Sequence, residues 1–461
     1  MMIALKRDLF TIDELLRITG GRLIHGGDAS IAVNNIQIDS RKCGPGSLFI
    51  PLKGENTDGH VFISDAFSRG ALVSLAGKKS WNEDISGKTA GRTCILVDDP
   101  LKGMQNLAKS HIRRMLSLTN IGITGSTGKT TAKELIGQTV QEAGSSFISE
   151  GNLNSDIGVC LSAFSVDSSV LYGVFELGMN RIGEIQEITD IIRPDIAVIT
   201  NIGTAHIGLL GSKHEIMKEK KKIFSFFTGK ETGFVYEDEP FFKELTEDVR
   251  GRIIPFGPKS LKGFQDYELQ GIDGIIFRWA GERVAVPLLG EQNVPYLCAA
   301  VEIGRVLGLS DHDIARGMGG VKPLFGRGQI RRGEVTLICD YYNANPESME
   351  KALNFLKTVE SRGRKAAVLG SMKELGSFSR EAHRQIGKNV LDSGIDYVFL
   401  FGDEMRDAYE VCRGRGMENV FWTADKGQLK KVLSEFIQEG DTVLLKGSRT
   451  TALEEMEEYI V

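Results

Sequence analysis

Apolar residues recur along this chain with two periods, and the periods alternate. Short apolar runs bounded by turn residues predict strands at SLFIPL (47–52), TCILVDD (93–99), NIGIT (120–124), VLYGVFELG (170–178) and DIAVITNIG (195–203). A 3.6-residue spacing instead predicts helices at TIDELLRITG (11–20), QNLAKSHIRRML (105–116) and TAKELIGQTVQEAG (131–144). After PLFGRGQI, near residue 325, the alternation restarts with strands at VTLICDYY, KAAVLG, DYVFLFG and DTVLLKG and helices such as PESMEKALNFLKTV. Strand–helix alternation implies mostly parallel sheets, so the expected class is α/β. A length of 461 residues exceeds one ordinary domain. Three are expected: a small α/β N-terminal domain over 1–98, a central domain with a mostly parallel sheet over 99–322, and a Rossmann-like doubly wound C-terminal domain over 323–461.

One helix breaks its own pattern. In KHEIMKEKKKIFSFF (213–227), Ser212 and Glu215 are spaced as a capping box, and Ile216, Met217, Ile223, Phe224 and Phe227 gather on one face. Lys218, Lys221 and Lys222 fall on the opposite, solvated face. Lys220 lands near the middle of the apolar stripe, where a leucine is expected.

Composition narrows the class. Hydrophobic content of 41% and charged content of 25% are those of a soluble globular chain. A formal net charge of −5 gives no electrostatic footprint for nucleic acid, and no apolar run is long enough to span a bilayer. Lys6, Arg7 and Asp8 stand where a leader peptide would need its apolar region. Cys43, Cys94, Cys160, Cys298, Cys339 and Cys412 show no metal-finger spacing and read as thiols in a reducing compartment.

The chemistry starts at TGSTGKTTAKELI, where a strand feeds a Gly-rich turn and then a helix. Such a turn aims backbone N–H groups and the positive helix end at phosphates. Thr124, Gly125, Ser126, Thr127, Gly128, Lys129, Thr130 and Thr131 form the candidate loop, with Lys129 reaching the β- and γ-phosphates and the Thr130 hydroxyl a Mg²⁺ position. The strict G-x-x-x-x-G-K-[ST] spacing fails, because its first glycine falls at Ile123. Glu176 ends one strand and His206 lies just beyond another, so both belong at the carboxyl rim of a parallel sheet, where ligands bind. With Thr130 they make a candidate Mg²⁺ set. The residues alone stop at an ATP- or GTP-dependent phosphoryl-transfer site.

Longer stretches are similar to one family. TGSTGKTT, GNLNSDIGV (151–159), ELGMNRIGEI (176–185), TNIGTAHIGLLGS (200–212), DYYNANPESM (340–349), VLGSMKELG (368–376) and LLKGSR (444–449) resemble the Mur ligases over essentially the whole chain. DYYNANP is the most discriminating match. The resemblance implies a cytoplasmic, monomeric, ATP- and Mg²⁺-dependent amide ligase with two metal ions. Its implied substrates are a UDP-N-acetylmuramoyl tripeptide, activated as an acyl phosphate, and D-alanyl-D-alanine, whose amine attacks. No nucleic acid or membrane partner is implied.

The resemblance also implies residue roles. Lys129, Glu176, His206 and Lys220 become catalytic residues, with Thr130, Glu176, His206 and a carbamate formed from CO₂ on Lys220 at the metals. Asn293, Arg327, Asp340, Tyr342 and Asn343 join the ATP site. Ser40, Arg41, Asp58, Gly59 and His60 fall in a uridine pocket, and Asn152, Asn154 and Asp156 near the sugar and peptide. DYYNANP also reads as a helix start, with Asn345 as cap and Pro346 at the first position. Against the family pattern, Cys339, Tyr341, Ser371, Gln292 and Lys221–Lys222 are departures, and Tyr341 and Ser371 bear on nucleotide and peptide contacts. Three rivals remain: a sibling ligase adding a diamino acid, whose D-N-P-R segment is absent, a folylpolyglutamate-type ligase, and a P-loop ATP-binding switch without ligase chemistry.

Overall fold

The computed structural model describes residues 8–25, 28–54 and 56–460. Lys6 and Arg7, and Glu55 of the uridine-pocket stretch, lie outside the described residues. Three domains are present, each built on its own main sheet. The N-terminal domain has a five-stranded sheet in the order Arg22–Leu23, Thr93–Val97, Val73–Gly77, Ser47–Phe49, Asn35–Gln37, with Arg22–Leu23 antiparallel to its neighbour. Its first helix, Ile12–Thr19, starts with the expected Thr11–Glu14 capping box and stops at Gly20, whose φ of 65° suits glycine.

The central domain holds six parallel strands in the order Arg252–Phe256, Thr232–Tyr236, Ile196–Ile199, Thr119–Thr124, Tyr172–Glu176, Ser146–Ile148. The four inner strands read as largely apolar runs because helices cover both faces of the sheet. Ile121, Ile123, Val174, Val198 and Phe234 have no more than trace exposure, and each such burial contributes roughly 1.5–3 kcal/mol. A three-stranded antiparallel sheet, Phe264–Leu269, Ile275–Trp279 and Glu282–Val286, was not anticipated from the pattern. It alternates buried and half-exposed residues, and Phe277, Trp279 and Val286 join the apolar core on which Leu297 and Val301 pack.

The C-terminal sheet runs Gln329–Arg332, Thr336–Cys339, Thr442–Lys446, Lys365–Gly370, Tyr397–Phe401, Val420–Thr423. It is parallel except at its Gln329–Arg332 edge. The helix Pro346–Thr358 begins as expected: Asn345 Oδ1 accepts from Ser348 N at 2.8 Å, with Pro346 at the first position.

The lysine-rich segment is α-helical over Lys213–Lys221 and tightens to a 3-10 turn over Lys222–Phe224. Half of its capping box forms. Ser212 Oγ accepts from Glu215 N, while the Glu215 carboxylate turns to Lys218 Nζ at 2.7 Å. Lys221 is not free in solvent either, since its Nζ donates to the Glu244 and Glu247 carbonyls at 2.6 and 2.8 Å. All six cysteines are unpaired thiols, and all but Cys43 are buried. Among the described residues, no helix is long and apolar enough to cross a membrane.

Candidate active site

The strand Thr119–Thr124 delivers the chain into the Gly-rich turn, and the helix Lys129–Val140 leaves it. Two glycines are dictated by space as well as backbone. At Gly125, φ is +154° and an added Cβ would lie 1.8 Å from Thr200 Oγ1; at Gly128, φ is +76° and it would lie 2.1 Å from Tyr296 Oη. The turn is braced by the loop after the neighbouring strand. Asn201 Oδ1 accepts from Thr127 N at 3.1 Å, Asn201 Nδ2 donates to the Thr127 carbonyl at 3.0 Å, and Thr200 Oγ1 donates to the same carbonyl at 2.6 Å. Thr124 is fully buried beneath the loop, so it contributes backbone only. Gly128→Ala is expected to cost about 1–3 kcal/mol of strain, read as roughly ten- to hundredfold weaker ADP binding by calorimetry.

At the base of the loop, Lys129 Nζ donates to the Gly125 carbonyl at 2.8 Å. Burial pushes the Lys129 ammonium below its usual range, an effect opposed by the nearby Glu176 and Glu374 carboxylates. Glu176 is 3% exposed and doubly engaged: Oε2 accepts from Thr130 Oγ1 at 2.6 Å and Oε1 from Asn154 Nδ2 at 2.7 Å. A hydroxyl and a carboxylate in contact beside a phosphate loop are hard oxygen donors, which suit Mg²⁺.

Lys220 does not snorkel. It is 1% exposed, and its Nζ donates to the Gly125 carbonyl at 3.0 Å, the same oxygen that Lys129 approaches. Burial, reinforced by the Lys129 charge, pushes its amine far below the ordinary lysine value. The residue in the middle of the apolar stripe thus reaches through the core to the underside of the phosphate loop.

His206 behaves differently from the expected metal set. Its φ is +65°, and its Nδ1 lies 2.7 Å from Glu374 Oε2 of the C-terminal domain. Thr130 and Glu176 are therefore in contact, Lys220 lies behind them at Gly125, and His206 faces across the cleft. Glu176 and His206 nonetheless line one cavity of about 430 Å³, closed on its far side by Arg327, Asp340, Tyr342 and Asn343. There the Arg327 guanidinium stacks 4.0 Å from the Tyr342 ring centroid, and the buried Lys446 holds Asp340 Oδ2 at 2.7 Å. Asn293, at another edge, donates from Nδ2 to the Leu289 carbonyl at 2.8 Å.

Comparison with known proteins agrees with this layout. Residues 32–111 match the family model "Mur ligase family, catalytic domain", 123–304 the Mur ligase middle domain, and 326–449 the "Mur ligase, glutamate ligase domain". A UDP-N-acetylmuramoyl-tripeptide–D-alanyl-D-alanine ligase from Treponema pallidum (strain Nichols) is 36% identical over 97% of this chain and 98% of its own. The chain belongs to the Mur ligase family. Among solved structures, a MurF from Acinetobacter baumannii superposes with a TM-score of 0.89 at 28% identity, covering 98% of each chain. A MurF ligase from Thermotoga maritima in complex with ADP gives 0.79 at 26% identity over 92% of this chain and 96% of that one.

Within this Mur ligase, the residues expected at a uridine pocket lie apart from those lining the cavity. His60 spends both ring nitrogens on the fold: Nε2 accepts from Gly77 N at 2.7 Å, so Nδ1 carries the proton toward Asp58 Oδ1 at 2.5 Å. Asp58 also accepts from Ser80 Oγ at 2.9 Å, and a Cβ on Gly59 would meet the Leu52 carbonyl at 2.6 Å. Ser40 is buried, while Arg41 is 79% exposed and paired with Asp39. Asn152 and Asn154 line the cavity; Asp156 instead pairs with Arg181 at 3.0 Å.

The two departures that bear on ligand contacts turn inward. Tyr341 is fully buried, with its ring against Phe325 and its hydroxyl donating to Glu457 Oε1 at 2.5 Å. Ser371 is 1% exposed, and its N donates to the Phe401 carbonyl at 3.0 Å. Tyr341→Phe is expected to cost about 1 kcal/mol of stability, seen as a lower melting temperature with the KM for ATP unchanged. Asn201, Thr200, Tyr296 and Glu374 are the site residues that the sequence reading missed. Asn201 and Thr200 sat inside a quoted motif, but nothing local marks which of its residues turns toward the loop.

Proposed function

We propose that this chain joins D-alanyl-D-alanine, through its amine, to the C-terminal carboxylate of a UDP-N-acetylmuramoyl tripeptide at the expense of ATP. The observation that carries the reading is the cavity between the phosphate loop and the Arg327–Asp340 face, in a chain that matches ligases of that name over nearly its whole length. Two anions must meet there, a carboxylate and a triphosphate. Lys129 from one side and Arg327 from the other supply the opposing charge. The carboxylate oxygen attacks the γ-phosphorus, ADP departs, and an acyl phosphate remains. The amine then attacks the acyl carbon, the tetrahedral intermediate collapses, and phosphate leaves with the C–O bond electrons. Two facing domains hold both reactants in place and exclude water.

Thr130 and Glu176 would hold Mg²⁺, with His206 available when it leaves Glu374; the metal would supply charge neutralisation at the phosphates. The neutral amine that burial favours at Lys220 is the form that takes up CO₂ as a carbamate, which would put a negative charge behind the loop. Asn293, Tyr342 and Asn343 are assigned to ATP, and Asn152 and Asn154 to the muramoyl peptide. Ser40, Arg41 and the Asp58–His60 turn are assigned to the uridine diphosphate, with Asp156 supporting the peptide side through Arg181. The enzyme acts as a cytoplasmic monomer with domains at 1–98, 99–322 and 323–461.

The test mixes the chain with ATP and, in separate arms, UDP-muramoyl tripeptide plus D-alanyl-D-alanine, UDP-muramoyl dipeptide plus a diamino acid, or either acceptor with no amine. Phosphate release that depends on D-alanyl-D-alanine supports the assignment. Release that depends on a diamino acid, or that needs no amine, replaces it with the sibling ligase or the ATP switch.

A further inference from the structure

The motif DYYNANPESM was singled out for its asparagines, yet its glutamate makes the contacts across the cleft. Glu347 occupies the second position of the helix Pro346–Thr358, where the chain turns toward the central domain. Its Oε1 accepts from Thr204 N at 2.9 Å, and its Oε2 accepts from Thr204 Oγ1 at 2.6 Å. Lys213 Nζ stands 3.4 Å from Oε1. One carboxylate thus accepts from both hydrogen-bond donors of a single residue on the opposite domain.

Thr204 lies in the segment that braces the phosphate loop. Gly203 N donates to Ser126 Oγ at 2.8 Å, and Ser126 N donates to the Asn201 carbonyl at 3.0 Å. Gly203 is squeezed between the two partners: an added Cβ would lie 3.2 Å from Ser126 Cβ and 3.3 Å from Glu347 Cδ. On the other side of Ala205, His206 meets Glu374, and Gly208 N donates to the Glu374 carbonyl at 3.2 Å. There the two backbones nearly touch, since a Cβ on Gly208 would lie 2.5 Å from Gly376 N. The C-terminal domain therefore clasps residues 203–208 at two points, and that segment is in direct contact with the phosphate loop.

We infer that Glu347 is a positioning residue that couples closure of the C-terminal domain to the phosphate loop through Thr204, Gly203 and Ser126. The inference builds on the ligase reading above, because only a reaction across the cleft needs the two halves in register. An acidic residue in the first turn of a helix also favours the helix dipole. That role alone would stabilise the helix without any dependence on Thr204, so the pair and not the single residue has to be tested.

The experiment uses the full chain carrying Glu347→Ala, Thr204→Val, both together, or Thr204→Ser. Small-angle X-ray scattering reads closure without any turnover, and steady-state kinetics read kcat and KM. Each single removal is expected to enlarge the radius of gyration and to lower kcat about tenfold or more, with a smaller change in KM. The double variant should be no worse than either single one, and Thr204→Ser should behave as wild type. An unchanged scattering profile in Glu347→Ala, or losses that multiply in the double variant, overturns the inference. Should Glu347→Ala fail to fold, Thr204→Val alone carries the same expectation. If the wild-type chain turns over none of the named substrates, the ligase reading falls while the scattering still decides this one.

Discussion

Lys129→Ala abolishes ATP-dependent turnover, with an expected loss of at least about 10³-fold in kcat/KM. The lysine opens the helix Lys129–Val140 at the end of the phosphate loop and lines the cavity beside Glu176. Removing it leaves a triphosphate and a carboxylate to approach each other with one cation fewer at the point of contact. Stability should change little, because the side chain's hydrogen bond goes to a single carbonyl, that of Gly125. Lys129→Arg is not a conservative substitute, since a planar, bulkier guanidinium has to enter a space shaped by glycines. Amine-dependent phosphate release and thermal unfolding, measured on the same preparation, separate lost chemistry from lost folding. A near-normal rate in Lys129→Ala would remove the central assignment.

The second large effect is expected at Lys220. Lys220→Ala should lose roughly 10²–10³-fold in activity and regain part of it with millimolar formate or acetate, which supply a carboxylate where the carbamate would stand. Lys220→Met keeps the apolar length of the side chain and so isolates the functional group from cavity formation. It is expected to fold at least as stably as wild type, because the amine sits 1% exposed with one backbone acceptor and a neighbouring lysine that disfavours its charge. Loss of activity together with retained stability in Lys220→Met, plus carboxylate rescue of Lys220→Ala, supports a chemical role. Full activity in either variant without added carboxylate would make Lys220 a structural residue.

Features that depend on neighbours along the chain were legible in the order of residues. Apolar runs with turn residues between them located three of the six strands of the central sheet and four of the six of the C-terminal sheet, and two glycines marked the turn between Thr119–Thr124 and Lys129–Val140. Helical periodicity put Lys220 on the buried face, and Asn345–Pro346 announced a helix start that the structure contains. These features were legible because backbone preference and side-chain period act over a few residues.

Which groups meet depends instead on how distant segments pack. His206 and Glu374 are brought together from different domains, as are Thr204 and Glu347, 143 residues apart. Asn201 reaches the Gly-rich loop from 74 residues away and Tyr296 abuts its Gly128 from farther still, and no local pattern marks such partners. Tyr341 stood beside nucleotide-contact candidates in the chain, yet two residues past the strand end at Cys339 its ring enters the core while Tyr342 faces the cavity. The edge sheet around Trp279 was missed because strands that bury one face of a small antiparallel layer carry charges on the other. Local preferences select elements; crossovers between parallel strands set which loops share a rim, and that arrangement is a property of the whole fold.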